Sequence, residues 1–388
     1  MINKSSKLNR REFIRKSGLA ASVIMLANDL AIPAVDAAKK NSLPQWRGFN
    51  ILDFLSTEDY FYPRIPAQAD HFHWMADWGF DFIRLPIYYP YYLKFDRSKN
   101  ITPEEVYQID EAAVERIDKV VSMAHQYNIH VCLNLHRAPG YCVNSGFYEP
   151  YNLWTDDEAL KAFCFHWEMW AKRYKNISSE KISFDLVNEP SMRADMNDQY
   201  SKRSPVPGEL YRKVAKAASE TIRRQNPDRV VIADGNNTGS SVIPEILDLN
   251  IAQSCRGYVP GIVSHYKAPW VFKDTEHMAE PKWPGQIGDY YVSRKMLEEF
   301  YKPRLDIVDQ GIGVHCGECG GWNKTPHDVF LAWFSDVLSI LSERKIGFGL
   351  WEFIGDFGIL DSGRTDVDYE NWHGHKLDRK LLNLLLKT

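Results

Sequence analysis

Acidic side chains follow strand-like apolar runs at two distant points of the 388-residue chain. Glu189 comes directly after residues 182–188, and Glu318 comes directly after residues 312–317. Two carboxyl groups that face one cleft can hydrolyse a glycosidic bond, because one protonates the leaving oxygen while the other attacks or activates water. Like charges a few Å apart raise the pKa of one partner, which keeps an acid protonated near neutral pH. The pair therefore predicts glycoside hydrolysis.

Further polar and aromatic side chains occupy the ends of other strand-like runs. If the strands are parallel, their carboxyl ends meet at one rim. A packed barrel has no structural use for so many polar groups at that rim, so their convergence predicts an active site. The residues concerned are Arg84, His136, Asn188, His265 and Trp351.

Eight apolar runs that alternate with helical patterns must position these residues. A single-domain α/β fold, the (β/α)8 TIM barrel, fits this alternation, and continuous apolar strands fit a parallel sheet covered by helices. An open doubly wound sheet is the alternative, but no Gly-x-Gly-x-x-Gly follows any run. The predicted strands are 48–52, 81–86, 129–136, 182–188, 229–234, 259–265, 312–317 and 346–351. The predicted helices lie near 67–78, 110–127, 157–174, 208–225, 242–249, 293–310, 326–344 and 376–387.

Residues 184–190 (FDLVNEP) resemble the strand-4 signature of glycoside hydrolase family 5, the cellulase-type retaining hydrolases. The resemblance extends from Trp46 to the C-terminus. It implies that Glu189 is the acid/base and that Asn188 binds a sugar 2-hydroxyl. Residues 314–320 (VHCGECG) resemble the family's nucleophile segment, which assigns the nucleophile to Glu318.

The same resemblance assigns supporting roles. Arg84 matches the arginine that keeps the nucleophile ionised through charge-assisted hydrogen bonds. His136 matches the strand-3 histidine, and Trp351 matches the tryptophan that forms the floor of the −1 subsite. After strand 6 the family has His-x-Tyr, whereas residues 264–267 read SHYK, so His265 is carried over. Either Tyr266 takes the tyrosine's role from a shifted backbone, or Lys267 stands in its place.

A retaining hydrolase of β-linked glucans, most simply an endo-β-1,4-glucanase, is the function that the resemblance implies. An exo-β-glucanase, a β-mannanase and a β-glucosidase share the same two carboxylates and remain alternatives. A non-catalytic carbohydrate-binding barrel is an alternative from another class, but it would need no acid/base pair. We expect no cofactor and no metal, because the candidate His and Cys ligands lie far apart in the sequence.

The first 40 residues differ from the rest. Arg10-Arg11-x-Phe13 precedes a mildly apolar run and then Ala37-Ala38, a layout that resembles a twin-arginine export signal. A basic amphipathic helix is the alternative interpretation. We expect a signal over residues 1–38, a barrel over 39–388, and a periplasmic or extracellular protein.

The composition limits the classes of molecule that the protein is expected to bind. With 47 Lys and Arg against 51 Asp and Glu, the net charge is −4, which gives no reason to expect nucleic acid. Beyond the N-terminus no apolar run reaches the roughly 18 residues of a membrane-spanning helix, so no membrane association is expected after signal removal. A neutral polysaccharide or oligosaccharide fits as substrate. Five loop tryptophans are candidates for sugar stacking: Trp154, Trp270, Trp283, Trp322 and Trp372.

Overall fold

Eight parallel strands close into a barrel in the computed structural model, which describes residues 43–55, 65–195 and 198–388. The predicted signal over 1–38 lies outside the described residues. Each strand pairs with the next along the chain, and the last pairs with the first, which confirms the TIM barrel. The strands are β1 (Arg47–Asn50), β2 (Phe82–Tyr88), β3 (His130–Ala138), β4 (Ile182–Asp185), β5 (Val231–Asp234), β6 (Ala252–Gly257), β7 (Val314–Cys319) and β8 (Gly347–Leu350).

Helices cover the outside of the barrel between successive strands. Their apolar residues repeat every three to four positions, so one face of each helix packs on the sheet. The α-helices are α1 (Ala69–Asp77), α2 (Glu111–Gln126), α3 (Asp157–Arg173), α4 (Gly208–Gln225), α5 (Arg294–Asp309), α6 (His327–Ser342) and α7 (Arg379–Leu385). Between β5 and β6 the crossover is a six-residue 3₁₀-helix, Pro244–Leu249.

The predicted strand over 259–265 was wrong. The sixth barrel strand is β6, and residues Gly261–Ser264 form a short helix in the loop that follows it. The sequence of β6 (AQSCRG) is polar because its side chains have partners inside the fold: the Gln253 amide both donates to and accepts from the main chain of Ile243 at 2.9 Å. Val263 lies in this loop, and its apolar side chain is fully buried. Its apolar character led to the prediction of a strand over 259–265.

The remaining predicted strands agree with the structure to within a few residues. Strands β2 and β3 are buried along their whole length, as a parallel sheet covered by helices requires. All six cysteines are free thiols, five of them buried. Within the described ranges no helix is long and apolar enough to cross a membrane.

Candidate active site

Glu318 lies on β7 at the carboxyl-end rim of the barrel, and its carboxylate has cationic and hydroxyl partners. Arg84 Nη1 donates to Glu318 Oε1 at 2.7 Å, and Arg256 Nη2 lies 3.2 Å from the same oxygen. Tyr258 donates its hydroxyl to Glu318 Oε2 at 3.4 Å. Two guanidinium groups thus contact Oε1 in charge-assisted geometry, and Oε2 is left as the less constrained oxygen.

Glu189 follows β4 and takes a left-handed backbone conformation, with φ at +48°. Two contacts hold that main chain: Glu189 N–H donates to Asp234 Oδ2 at 2.8 Å, and Tyr141 donates its hydroxyl to Glu189 O at 2.6 Å. Burial, followed by the charge of Glu318, raises the pKa of Glu189 from 4.5 to about 7, and Arg256 opposes this shift. Glu189 is therefore able to carry a proton near neutral pH, whereas Glu318 is surrounded by donors.

Arg84 organises the floor of the site from β2. Besides Glu318, its guanidinium donates to Asp185 Oδ2 at 2.9 Å, to Asn188 Oδ1 at 2.9 Å and to Asn50 Oδ1 at 3.2 Å. The side chain is 1% exposed, and its carboxylate neighbours raise its pKa further above the ordinary arginine value. Arg84 thus links β1, β2, β4 and β7 in one fixed arrangement.

Asn188, His136 and Trp351 form a chain of contacts that begins at Arg84. Burial and the nearby Arg84 lower the pKa of His136 well below 6.5, so its ring is neutral. Its Nδ1 lies 3.2 Å from Asn134 Oδ1, and its Nε2 lies 3.2 Å from Asn188 Nδ2, so Nδ1 is the donor and Nε2 the acceptor. The indole of Trp351 stacks on this ring at 5.5 Å. The structure therefore brings these predicted site residues together.

The tyrosine next to Glu318 is Tyr258, the residue directly after β6. Tyr266 and Lys267, the two sequence candidates, lie further along the same loop, where the Lys267 ammonium lies 5.3 Å over the ring of Tyr266. His265 contacts the edge of the Tyr258 ring at 4.9 Å, and burial lowers the pKa of His265 to about 4. Residues 256–258 (RGY) thus stand where the family pattern has His-x-Tyr, with Arg256 in place of the histidine. Because strand 6 was predicted too far along the chain, the histidine position of the motif was assigned nine residues too late, to His265, and its tyrosine position eight or nine residues too late, to Tyr266 or Lys267.

Three buried charged residues below the two glutamates were not predicted. Arg256 donates to both oxygens of Asp234, and Asp185 accepts from Arg84. Burial and the charge of Asp234 raise the pKa of Asp185 to about 7, and Asp185 Oδ1 has no hydrogen-bond partner. Asp185 lies within the FDLVNEP segment, and Asp234 ends the predicted fifth strand, so their positions were visible in the sequence although their pairing was not.

Gly317 makes room for the two guanidinium groups. A Cβ on this residue would lie 2.6 Å from Ser254 Oγ and 3.3 Å from Arg256 Nη1, with Arg84 Nε at 3.6 Å. A side chain there would have to displace Ser254 Oγ, which accepts a hydrogen bond from Arg256 Nη1. The glycine before Glu318 is therefore required by the close approach of β6 to β7.

Two of the five loop tryptophans join an aromatic cluster above the rim. Trp270 and Trp322 meet edge to face at 4.5 Å, and Phe357 and Tyr258 complete this loop cluster. The other three have different surroundings: Trp154 is buried against Tyr211, Trp283 donates to Asp336 on α6, and Trp372 lies under Arg379. Over the part of the chain that the structure describes, no three His, Cys, Asp or Glu side chains are grouped to hold a metal ion.

Comparisons with known proteins agree with this geometry. Endoglucanase C of Acetivibrio thermocellus is 26% identical over 321 residues, 76% of this chain and 87% of the relative. Cellodextrinase A of Ruminococcus flavefaciens is 24% identical over 77% of this chain and 83% of its own length. A crystal structure of a glycoside hydrolase superposes with a TM-score of 0.78 at 36% identity, covering 89% and 99% of the two chains. The model of the cellulase family matches residues 35–356, and the chain therefore belongs to glycosyl hydrolase family 5 and is a glycosidase.

Proposed function

We propose that the chain is an endo-acting β-1,4-glucanase that works by double displacement, with Glu318 as nucleophile and Glu189 as acid/base. One observation carries the assignment of roles. Glu318 Oε1 contacts two guanidinium groups, whereas the pKa of Glu189 is raised to about 7. An anion and a protonated acid at one rim are what the first step needs.

In the first step Glu318 Oε2 attacks the anomeric carbon. The bond from that carbon to the glycosidic oxygen breaks, and the departing oxygen takes the proton of Glu189. Glu318 becomes a glycosyl ester, and Glu189 becomes a carboxylate. Tyr258, whose hydroxyl lies 3.4 Å from Oε2, orients the attacking oxygen.

In the second step water attacks the anomeric carbon and loses a proton to Glu189. The bond to Glu318 breaks and its electron pair returns to the carboxylate, so the configuration at the anomeric carbon is retained. Asn188 hydrogen-bonds the sugar 2-hydroxyl, and His136, whose Nε2 accepts from the Asn188 amide, keeps that amide oriented. Trp351 offers an apolar face for the sugar in the −1 subsite.

The names of the relatives support glucan as the substrate. Several are called endoglucanases, at 21–26% identity. The substrate is tested by product analysis on carboxymethylcellulose, β-1,3-glucan, xyloglucan and mannan. A rapid fall in carboxymethylcellulose viscosity, with few reducing ends released, is the expected result. Steady release of cellobiose without a fall in viscosity would indicate exo action, and turnover of mannan alone would contradict a glucanase.

We also propose that residues 1–38 are a twin-arginine signal and that the domain over 39–388 acts in the periplasm or outside the cell. The support is the Arg10-Arg11-x-Phe13 motif followed by small residues before position 39. Replacing both arginines with lysine keeps the charge and should retain the precursor inside the cell. Normal export of that variant would contradict the proposal.

A further inference from the structure

Arg256 on β6 contacts both proposed catalytic carboxylates with one guanidinium group. Its Nε donates to Glu189 Oε1 at 3.0 Å, and its Nη2 lies 3.2 Å from Glu318 Oε1. Arg84 Nη1 contacts the same oxygen of Glu318 at 2.7 Å. Of the two arginines, Arg256 is therefore the one whose charge is divided between the acid/base and the nucleophile.

Arg256 is held in place independently of either glutamate. Both oxygens of Asp234, a fully buried carboxylate, accept from its guanidinium, and Tyr301 donates its hydroxyl to Arg256 O at 3.0 Å. Asp234 Oδ2 also accepts the main-chain N–H of Glu189 at 2.8 Å. One carboxylate thus fixes the guanidinium and the backbone of the acid/base relative to each other.

The first chemical step moves the negative charge beside Arg256 from Glu318 to Glu189. Once Glu318 is esterified by the sugar it carries no charge, whereas Glu189 has just given up its proton. We propose that Arg256 is a positioning residue that stabilises the Glu189 carboxylate in the glycosyl-enzyme, in time for it to accept the proton of the attacking water. This inference rests on the roles assigned to Glu189 and Glu318 above.

The other charges that face Glu189 do not change during the cycle. Asp234 approaches from β5, Arg203 from the loop after β4, and the Tyr141 hydroxyl from the loop after β3. Only the charge of Glu318, on β7, appears and disappears. The balance at Glu189 therefore shifts from repulsion by Glu318 in the free enzyme to attraction by Arg256 in the intermediate.

The test separates the two chemical steps with 2,4-dinitrophenyl β-cellobioside. Its leaving group needs no protonation, so the burst reports ester formation and the steady state reports water attack. In Arg256→Met we expect the steady-state rate to fall about 100-fold while the burst persists. The acidic limb of the kcat profile should move to higher pH, because Glu189 loses the charge that favours its carboxylate.

Rescue by azide distinguishes a loss of base catalysis from a structural defect, because azide would not restore the activity of a misfolded variant. It attacks the anomeric carbon and displaces the Glu318 carboxylate without needing a base, so it should restore turnover of Arg256→Met and yield the β-glycosyl azide. Arg256→Lys should retain part of the rate. Arg229→Met is the matched control: Arg229 is 2% exposed, donates to the main-chain oxygens of Ile182 and Tyr174, and should leave the pH profile unchanged.

An unchanged acidic limb in a folded Arg256 variant would overturn the inference. So would an equal loss of burst and steady-state rates without azide rescue. If the wild-type enzyme forms no ester on Glu318, detected by mass spectrometry, the proposed function itself fails. A trapped ester on Glu318 together with a normal Arg256→Met enzyme would overturn only the role of Arg256.

Discussion

Arg84 and Glu318 form a buried ion pair across the barrel, with 2.7 Å between Nη1 and Oε1. The two residues are 234 positions apart, and each comes from a different strand of the closed sheet. Because both side chains are almost fully buried, the pair exchanges little with water and depends on the barrel being closed.

Arg84→Lys should lose both activity and stability. A single ammonium cannot replace a guanidinium that bonds Asp185, Asn50, Glu318 and Asn188, and breaking a buried pair costs about 3–5 kcal/mol. Urea unfolding and kcat/KM on one cellulosic substrate measure the two effects. Arg229→Lys, a buried arginine bonded to main-chain oxygens, should lose stability but keep kcat. Equal losses of kcat in both variants would refute the role of Arg84.

Tyr258→Phe should lower kcat by about tenfold with little change in KM, because the lost hydroxyl contacts the attacking oxygen of Glu318. Tyr266→Phe is the matched control and should be close to wild type, since the ring of Tyr266 packs under Lys267. Steady-state kinetics on the same soluble cellulose derivative distinguish the two tyrosines. If Tyr266→Phe is the slower enzyme, the tyrosine assignment is reversed.

The pH profile should lose activity on its alkaline side near pH 7. Glu189 must carry a proton in the free enzyme, and its pKa is raised to about 7, so kcat/KM falls as pH rises through that value. With a dinitrophenyl leaving group, which needs no proton, this limb should be weaker. A flat profile up to pH 9 with an unactivated oligosaccharide would contradict Glu189 as the acid.

Glu352, the residue after Trp351, should make the enzyme less stable as pH rises. Burial raises its pKa from 4.5 to about 8, so between these values the folded state binds more protons than the unfolded state, and stability falls with pH. Glu352→Gln should therefore raise Tm at pH 8.5 and change it little at pH 4. Glu298→Gln, on the exposed face of α5, is the control. An unchanged Tm difference across this range would exclude Glu352 as the cause.

The sequence predicted the barrel and both glutamates because these features are local. Apolar runs mark most strands, and FDLVNEP places Asn188 and Glu189 without any knowledge of distant partners. The sixth strand was missed for a physical reason: it contains polar residues whose hydrogen-bond partners are distant in the sequence or in a loop. Arg256 donates to Glu189, and the Gln253 side chain bonds the main chain of Ile243. A hydropathy pattern predicts a loop for such a polar strand. It predicts a strand for the next loop, because that loop contains the buried apolar residue Val263.

The buried pairings could not be predicted for a related reason. Asp234 ends a visible strand, but its partner Arg256 lies 22 residues away, on the strand that was missed. From the sequence alone, an aspartate at a strand end with no visible partner would be interpreted as a substrate ligand or a surface residue. The closed barrel shows that the carboxylate of Asp234 is instead paired with the Arg256 guanidinium.

The six-residue 3₁₀-helix between β5 and β6 leaves this sector of the barrel with its thinnest cover. Backbone amides under a full α-helix exchange with deuterium mainly through global opening, whereas amides under this short 3₁₀-helix should exchange through local opening. Strands β5 and β6 should therefore lose protection first. These two strands carry Asp234 and Arg256. Local opening between them would therefore separate the Arg256 guanidinium from Asp234 before the rest of the barrel opens.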